Sequence, residues 1–232
     1  MSQQRSQSNG PLQFHQGTED ELADYVVSHS QTGNLDSIIK AVDDFYWKNH
    51  WMMHVGDVKG KIVDGIFKLH RPKTVLELGT YCGYSALRMA KHLPVDGRIY
   101  TIDPCPTNCS RQLIEHAGLT NKVIFLTGFG KDVISTLTFL KGQIDLVFVD
   151  HDKKAYCSDL ILIENAELLH PGSVVVGDNV IIFKINDYLD HVRNSGLYSS
   201  SENFLATLEY DDSGAEERVD GIEVSVWKGE NS

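Results

Sequence analysis

Short apolar runs alternate with segments of helical periodicity over most of the chain, from Thr74 onward. Five such runs cover residues 74–78, 98–102, 123–126, 144–149 and 173–177. This alternation is typical of βαβ units arranged around a parallel sheet. After a predicted helix near residues 186–193, runs at 204–210 and 222–227 indicate two closing antiparallel strands. The pattern predicts an α/β fold with a mostly parallel, seven-stranded sheet and helices on both faces.

Three helices are predicted before the first strand. Thr18 and Glu21 match a capping box, which predicts a helix from Thr18 to about His29. Apolar residues at helical spacing predict a second helix around residues 38–46 and a third around residues 58–69. We interpret these helices as a cover over the sheet rather than as a separate domain.

The length and composition are compatible with one large domain. With 232 residues and 41% hydrophobic content, the chain can bury a full core. We predict a single domain over residues 18–232, made of a helical cover (18–72) and an α/β core (73–232). The polar residues 1–17 are predicted to form a flexible segment.

The charge and the hydropathy exclude some classes of partner. The formal net charge is −11 and no stretch is rich in lysine and arginine, which argues against nucleic acid or an anionic membrane. No apolar run has the roughly 18 residues of a membrane-spanning helix, and the N-terminus lacks the apolar centre of a signal peptide. We expect a cytoplasmic protein, a monomer or weak dimer, that binds a small molecule. The four cysteines follow no metal-finger spacing, so we interpret them as free thiols.

Glycines interrupt the chain directly after the first predicted strand, where Glu77 is followed by Gly79 and Gly83. A cofactor can approach the backbone closely over such a tight turn. The spacing differs from the dinucleotide-binding fingerprint, which excludes a NAD motif of that type. The second strand ends near Asp103, whose carboxylate can accept hydrogen bonds from both hydroxyls of a ribose. The alternatives are a glycine turn with packing duties alone and an aspartate that caps the following segment.

Two apolar, β-branched runs stop abruptly at oxygen-bearing side chains. Asp150 follows one run, and Asp178 and Asn179 follow the next. In a doubly wound sheet the fourth and fifth strands are neighbours, so we expect these side chains to meet near the glycine turn. Carboxylate and amide oxygens suit Mg²⁺, and Lys153 would stand beside the ion. The alternative is a set of solvated carboxylates at strand ends.

Five segments resemble the catechol O-methyltransferase family, in the same order and with nearly the same spacing. They are residues 51–60 (WMMHVGDVKG), 75–90 (VLELGTYCGYSALRMA), 147–153 (VFVDHDK), 178–180 (DNV) and 208–210 (LEY). The resemblance spans residues 20–228. It implies a Rossmann-like class I methyltransferase fold. It also implies Mg²⁺-dependent transfer of a methyl group from S-adenosylmethionine to one hydroxyl of a catechol.

The resemblance implies roles for individual residues. Asp150, Asp178 and Asn179 would hold Mg²⁺. Lys153 would deprotonate the metal-chelated diol, and Glu209 would hydrogen-bond its second hydroxyl. The residues implied to bind the cofactor are Met53, Val55, Glu77, Gly79, Tyr81, Ser85, Asp103, Gly130, Lys131, Asp150, His151 and Asp152. Those implied to contact the substrate are Trp51, Met53, Lys153, Asn179, Phe183 and Glu209.

The chain departs from the family at several positions around this site. Asp152 replaces a tryptophan that packs on the adenine, and Gly130 and Lys131 match a serine and a glutamine that address it. Asp103 is shorter than the family's ribose-binding glutamate. Phe183 replaces a proline beside the catechol ring. We expect altered cofactor affinity and altered preference for ring substituents. Asp152 either faces solvent or the adenine, or adds a fourth acidic group near the metal ion.

Two other functions are compatible with the sequence. One is the same chemistry on another vicinal-diol phenol, such as a caffeoyl or flavonoid-like compound. The other is a protein that binds S-adenosylmethionine without catalysis. Retention of the three metal-binding positions together with Lys153 and Glu209 argues against the second function.

Overall fold

One seven-stranded sheet organises the computed structural model, which describes residues 17–48, 52–210 and 219–229. The strands are β1 (Thr74–Leu78), β2 (Arg98–Asp103), β3 (Val123–Thr127), β4 (Ile144–Val149), β5 (Leu169–Gly177), β6 (Tyr198–Thr207) and β7 (Val219–Trp227). Their order is β3-β2-β1-β4-β5-β7-β6. Strands β1 to β5 are parallel, and β7 runs antiparallel between β5 and β6. The predicted mostly parallel α/β fold is confirmed.

Eight α-helices accompany the sheet within the described residues. They are α1 (Thr18–His29), α2 (Leu35–Lys48), α3 (Asp57–His70), α4 (Tyr84–Ala90), α5 (Asn108–His116), α6 (Gly130–Val133), α7 (Tyr156–Asn165) and α8 (Asn186–Asn194). Two short 3₁₀ helices, Ile134–Thr136 and Thr138–Leu140, follow α6. Within this part of the chain no helix has the length and apolarity needed to cross a membrane.

The central strands are apolar on both sides because each side faces its own helical layer. Leu146 and Phe148 of β4 belong to a core shared with helices α1 to α5. Val147 and Val149 of the same strand belong to a second core, shared with α7, α8 and the 3₁₀ helices. Side chains alternate between the faces of a strand, so burial of both faces requires a continuous apolar run.

The N-terminal helices complete one of these layers. Helix α1 packs against α2 and α5, and α3 packs against α4. The predicted bounds of α1 are confirmed, but the capping box is wrong: Gly17 is the N-cap, and no side chain caps the helix. Of the segment predicted to be flexible, all but Gly17 lies outside the described residues. The boundary between cover and core, at residues 72 and 73, stays a prediction.

The first closing strand begins earlier than expected. The apolar run at 204–210 predicted a strand there, but β6 begins at Tyr198 and ends at Thr207. The prediction was wrong because β6 is an edge strand that pairs only with β7, so its serine-rich first half needs few apolar residues. Glu209 therefore lies beyond the strand, next to Tyr210, whose backbone φ is 48°. The acidic turn region 211–217, predicted between the two closing strands, lies outside the described residues.

Candidate functional site

The carboxyl ends of β1, β4 and β5 are joined by backbone hydrogen bonds. The Asp150 N–H donates to the Leu78 carbonyl over 2.9 Å, and the Asp178 N–H donates to the Val149 carbonyl over 3.0 Å. Gly79 turns the chain here with φ 98°. A Cβ atom at Gly79 would lie 2.2 Å from the Asp150 carbonyl oxygen, so only glycine fits. The structure thus gives Gly79 a packing role in addition to the cofactor role predicted from the sequence.

Lys153 lies at this edge and contacts both the β4 end and helix α7. Its Nζ donates to Asp150 Oδ1 over 2.6 Å and to the Tyr156 hydroxyl over 2.7 Å. The Tyr156 hydroxyl donates in turn to the Asp178 backbone carbonyl over 3.1 Å. The ring of Phe183, 58% exposed, lies 5.6 Å from Lys153 Nζ. Lys153 is therefore held between the buried strand ends and an exposed aromatic rim.

A second lysine, Lys59 of α3, lies at the centre of a buried acidic cluster. Its Nζ is 2.7 Å from Asp178 Oδ1 and 2.7 Å from Asp220 Oδ2, and it also contacts Glu209 Oε1. The Lys59 side chain is completely buried. Burial alone would lower the pKa of Lys59, but the three carboxylates outweigh it and raise the pKa. The three carboxylates therefore favour the charged form of Lys59 inside the protein.

The sequence reasoning assigned no role to Lys59, Asp220 or Tyr156. Lys59 lies on the face of α3 that also buries Val63 and Ile66. A lysine on the apolar face of an amphipathic helix is a signal of a buried anionic partner, and this signal was available. Asp220 and Tyr156 each lie in or beside apolar runs, where a polar side chain also needs a partner.

In both Asn179 and Asp178, one side-chain atom contacts this cluster and one oxygen remains available. Asn179 Nδ2 donates to Glu209 Oε1 over 2.9 Å and to Asp220 Oδ2 over 2.8 Å. Carboxylates only accept hydrogen bonds, so the amide nitrogen must face them and Oδ1 must face away. Asp178 Oδ1 contacts Lys59, while Oδ2 is buried and has no hydrogen-bond partner among the described residues. Two unused oxygens beside Asp150 are the donor set that a hard divalent cation prefers, so these residues fit Mg²⁺.

The protonation of Asp178 is sensitive to its neighbours. Burial raises the pKa of the Asp178 carboxyl, the Lys59 ammonium opposes this, and the Asp150 and Glu209 carboxylates raise it further. A bound divalent cation would offset the last two effects. Cation binding would thus favour the ionised form of Asp178.

The glycine loop after β1 is held by Asp103. The backbone N–H groups of Thr80 and Tyr81 donate to Asp103 Oδ2 over 3.0 and 3.1 Å, and that of Cys105 donates to Oδ1 over 2.7 Å. Asp103 therefore fixes the glycine loop, and through Cys105 it also caps the segment that follows β2, which was the alternative to its ribose role. Each carboxylate oxygen has lone pairs to spare, so the ribose role stays a prediction.

Glu77 lies beneath this loop and is completely buried. The Ser85 hydroxyl donates to its Oε1, whereas Oε2 is buried with no hydrogen-bond partner among the described residues. Burial raises the pKa of Glu77 to about 8, although hydrogen bonds from Ser85 and Thr101 lower it. The unpartnered Oε2 of Glu77 at this edge suits the cationic group of a ligand.

Of the other predicted cofactor residues, Met53 is half-buried and Val55 belongs to the core beneath α1 to α5.

Asp159 of α7 lies between the turn after β4 and the start of α6. A Cβ atom at Gly130 would lie 2.1 Å from Asp159 Oδ2, which is itself 3.0 Å from His151 Nε2. The rings of His151 and Tyr156 stack at 5.2 Å. Gly130 thus leaves room for the Asp159 carboxylate that contacts His151.

The outer part of this turn is exposed. Asp152 is exposed, and its Oδ1 accepts a hydrogen bond from the Lys154 N–H over 3.1 Å. This contact favours the solvent-facing interpretation of Asp152 over a fourth acidic group near a cation. Lys131 is exposed too, with Nζ 5.7 Å from the Phe129 ring. Trp51, predicted to contact the substrate, lies outside the described residues.

Comparisons with known proteins agree with this architecture. The sequence profile of the O-methyltransferase family matches residues 28–195. Mouse catechol O-methyltransferase is 38% identical over 92% of this chain and 80% of its own length. Catechol O-methyltransferase B of Danio rerio is 42% identical over 88% of this chain and 76% of its own length.

A solved structure shares the fold at low identity. The O-methyltransferase from Bacillus cereus, in complex with SAH, has a TM-score of 0.66 and 20% identity over 91% of this chain and 97% of that chain.

The family profile and the relatives together show that the chain belongs to the O-methyltransferase family. The resemblance to catechol O-methyltransferases found in the sequence is confirmed.

The raised pKa of Glu77 predicts how stability depends on pH. The folded pKa of about 8 exceeds the ordinary value of 4.5, so folding favours the protonated carboxyl. Its contribution is fully present below 4.5 and is lost as the pH rises towards 8, by up to about 1.4 kcal/mol per pH unit. The Glu77→Gln variant has no ionisable carboxyl at this position, so it should not lose this stability. Its free energy of unfolding relative to that of the unmodified protein should therefore increase with pH. Urea unfolding between these limits measures the difference, and a constant difference would contradict the assignment.

Proposed function

We propose that the protein transfers a methyl group from S-adenosylmethionine to one hydroxyl of a catechol with the help of Mg²⁺. The observation that carries the proposal is the convergence of Asp178 Oδ2, the Asn179 amide and Lys153 at one sheet edge. Relatives that are named catechol O-methyltransferases support the substrate class. SAH in the Bacillus cereus structure supports the cofactor, because it is the demethylated form of S-adenosylmethionine.

Asp150, Asp178 and Asn179 would hold the metal ion. When bound, Mg²⁺ would supply Lewis-acid polarisation of two adjacent phenolic oxygens. The side chains around the metal ion would accept the proton and hold the proton acceptor in place. Lys153 would receive the proton of the reacting hydroxyl at Nζ, and Tyr156 would hold that Nζ in place through its hydroxyl oxygen.

Glu209 would select a vicinal diol. The contacts that the described residues make to its carboxylate go to Oε1. Oε2 is thereby left to accept a hydrogen bond from the second hydroxyl, the one that is not methylated. A phenol with a single hydroxyl would leave this acceptor without a partner, which disfavours its binding.

The glycine loop and its neighbours would orient the cofactor. We assign Glu77 to the cationic amino-acid end of S-adenosylmethionine, because its Oε2 is buried and unpartnered. Orientation of the reacting oxygen, methyl carbon and sulfur can supply about 7 to 11 kcal/mol of the barrier. A cationic sulfonium and an anionic oxygen neutralise each other in the transition state, so exclusion of water helps. The other proposed cofactor contacts are Met53, Val55, Gly79, Tyr81, Ser85, Asp103, Gly130, Lys131, His151 and Asp152.

The exposed rim of the site is compatible with a second candidate substrate. Phe183 is 58% exposed and lies beside Lys153, where it can contact a larger ring substituent. A caffeoyl or flavonoid-like phenol with vicinal hydroxyls is therefore the second candidate substrate. A cytoplasmic location and a monomeric or weakly dimeric state remain predictions from the sequence.

The first test replaces the proposed base. Lys153→Met should lower kcat by about 10²- to 10⁴-fold, because the hydroxyl proton loses its acceptor. Calorimetry should show nearly unchanged binding of S-adenosylmethionine. Lys154→Met is the matched control, since Lys154 is the neighbouring exposed lysine and should keep normal turnover. Normal turnover in the Lys153 variant would refute the base assignment.

The second test addresses the metal ion and the substrate. EDTA should abolish methyl transfer, and added Mg²⁺ should restore it. Asp178→Asn should weaken Mg²⁺ binding in a calorimetric titration, because it removes an anionic ligand. A panel of simple catechols, caffeoyl compounds, flavonoids and monohydroxylated phenols then defines the substrate. Turnover that persists in EDTA, or that is equal on monohydroxylated phenols, would contradict the chelated-diol mechanism.

A further inference from the structure

We infer that Lys59 is a positioning residue that turns one oxygen of each neighbouring group towards the metal and the substrate. This inference rests on the proposed function and concerns the same site. The Lys59 side chain is completely buried, and its ammonium contacts Asp178, Glu209 and Asp220. Its effect would pass through Asp178, Asn179 and Glu209.

The Lys59 ammonium contacts one oxygen of each of three carboxylates. They are Asp178 Oδ1, Asp220 Oδ2 and Glu209 Oε1. The contact with Asp220 is a hydrogen bond from Nζ, and the contacts with Asp178 and Glu209 are ion pairs. Each carboxylate has one oxygen on Lys59 and one oxygen elsewhere. For Asp178 the second oxygen is the buried Oδ2 without a partner, and for Glu209 it is Oε2.

Lys59 also orients Asn179 indirectly, through carboxylate oxygens that both residues contact. Asn179 Nδ2 donates to Glu209 Oε1 and Asp220 Oδ2, which are two of the three oxygens that Lys59 binds. Asp220 Oδ1 is anchored separately by the Ile182 N–H over 3.2 Å. Lys59 therefore fixes the acceptors that fix the amide, and Asn179 Oδ1 is left to face the metal position.

Charge repulsion explains why a cation is needed at this point. One oxygen from each of Asp178, Glu209 and Asp220 lies within 4.8 Å of the other two. Three carboxylates this close and this buried repel one another strongly unless a positive charge lies between them. Without Lys59 they would separate or take up protons, and the orientation of their free oxygens would be lost.

The start of α3 is shaped for this arrangement. Gly56 is the N-cap of α3, and a Cβ atom there would lie 2.9 Å from Glu209 Cβ. The glycine lets Glu209 approach the helix, and the third residue of α3, Lys59, then reaches its carboxylate. The same short segment therefore provides both the space and the charge for Glu209.

A purely structural role for Lys59 makes a different prediction. The ammonium also joins α3 to the ends of β5 and β7, so its loss would lower stability in either case. Arg193 is a matched control, because it pairs with the buried Glu223 through two bonds of 2.7 and 2.6 Å. Arg193→Met also leaves a buried carboxylate of β7 without its cation, and the other described side chains that hydrogen-bond this carboxylate, Ser201 and Asn203, are not site residues.

The experiment compares Lys59→Met, Lys59→Arg and Arg193→Met. Melting temperatures should fall in both methionine variants. Calorimetric titration with Mg²⁺ alone, without cofactor or substrate, should show a Kd at least about tenfold higher in Lys59→Met only. The catechol KM at saturating Mg²⁺ should rise in Lys59→Met and stay normal in Arg193→Met. Lys59→Arg keeps the charge and should recover most of the Mg²⁺ affinity.

Each outcome decides between the roles. A Mg²⁺ Kd and a catechol KM within twofold of normal in Lys59→Met would overturn the inference and leave the proposed function intact. Failure of the unmodified protein to bind Mg²⁺ would instead refute the proposed function. If Lys59→Met does not fold, Asp220→Asn is measured in the same way, because it removes one anionic acceptor shared by Lys59 and Asn179. Weaker Mg²⁺ binding supports the inference, and unchanged binding overturns it.

Discussion

The burial of several carboxylates at one edge of an apolar sheet is the constraint on which this site depends. Asp178 and Asp220 are completely buried, and Glu209 nearly so. Charges in such surroundings must be paired, and Lys59 supplies one positive charge for three carboxylates. Asp178 Oδ2 is buried and has no hydrogen-bond partner among the described residues, so a cation could bind there without breaking a contact. The site is therefore built as a partly compensated cluster rather than as a set of independent ligands.

The parallel sheet explains why the cluster forms at this edge. Strands β1, β4 and β5 are neighbours in register, so their carboxyl ends reach the same level. Backbone hydrogen bonds from Asp150 and Asp178 continue the ladder one residue past the strands. The side chains at these positions then project from fixed backbone. Strand β7 is antiparallel to β5, so Asp220, near the start of β7, lies at the same edge of the sheet as the carboxyl ends of the parallel strands.

The outer part of the site is less constrained than its centre. Asp152, Lys131 and Phe183 are exposed, and few contacts fix their side chains. By contrast Gly79 packs so closely against the Asp150 backbone that no side chain would fit, and a side chain at Gly130 would displace the Asp159 carboxylate. Three of the positions at which the sequence departs from the catechol O-methyltransferase pattern, Asp152, Lys131 and Phe183, therefore lie at the rim, whereas Asp103 and Gly130 are buried. Substrate range can change at the rim positions without disturbing the buried charges.

The strand pattern and the edge carboxylates were readable from the sequence. Burial of both faces of β1 to β5 imposes continuous apolar runs, and Asp150, Asp178 and Asn179 follow directly after two of them. The start of β6 was missed because an edge strand needs little apolar surface. The helix N-cap at Gly17 was missed because the capping box at Thr18 is a local pattern that the observed turn overrides.

The sequence by itself determined the strands of the parallel sheet and the family, because apolar periodicity and short motifs are local properties. Only the tertiary structure decided which partners neutralise the buried carboxylates and which oxygen of each remains free. Lys59 and Asp220 are 161 positions apart, and Asn179 meets Glu209 across 30. Such contacts depend on how α3, β5 and β7 pack together, and no local pattern encodes that packing.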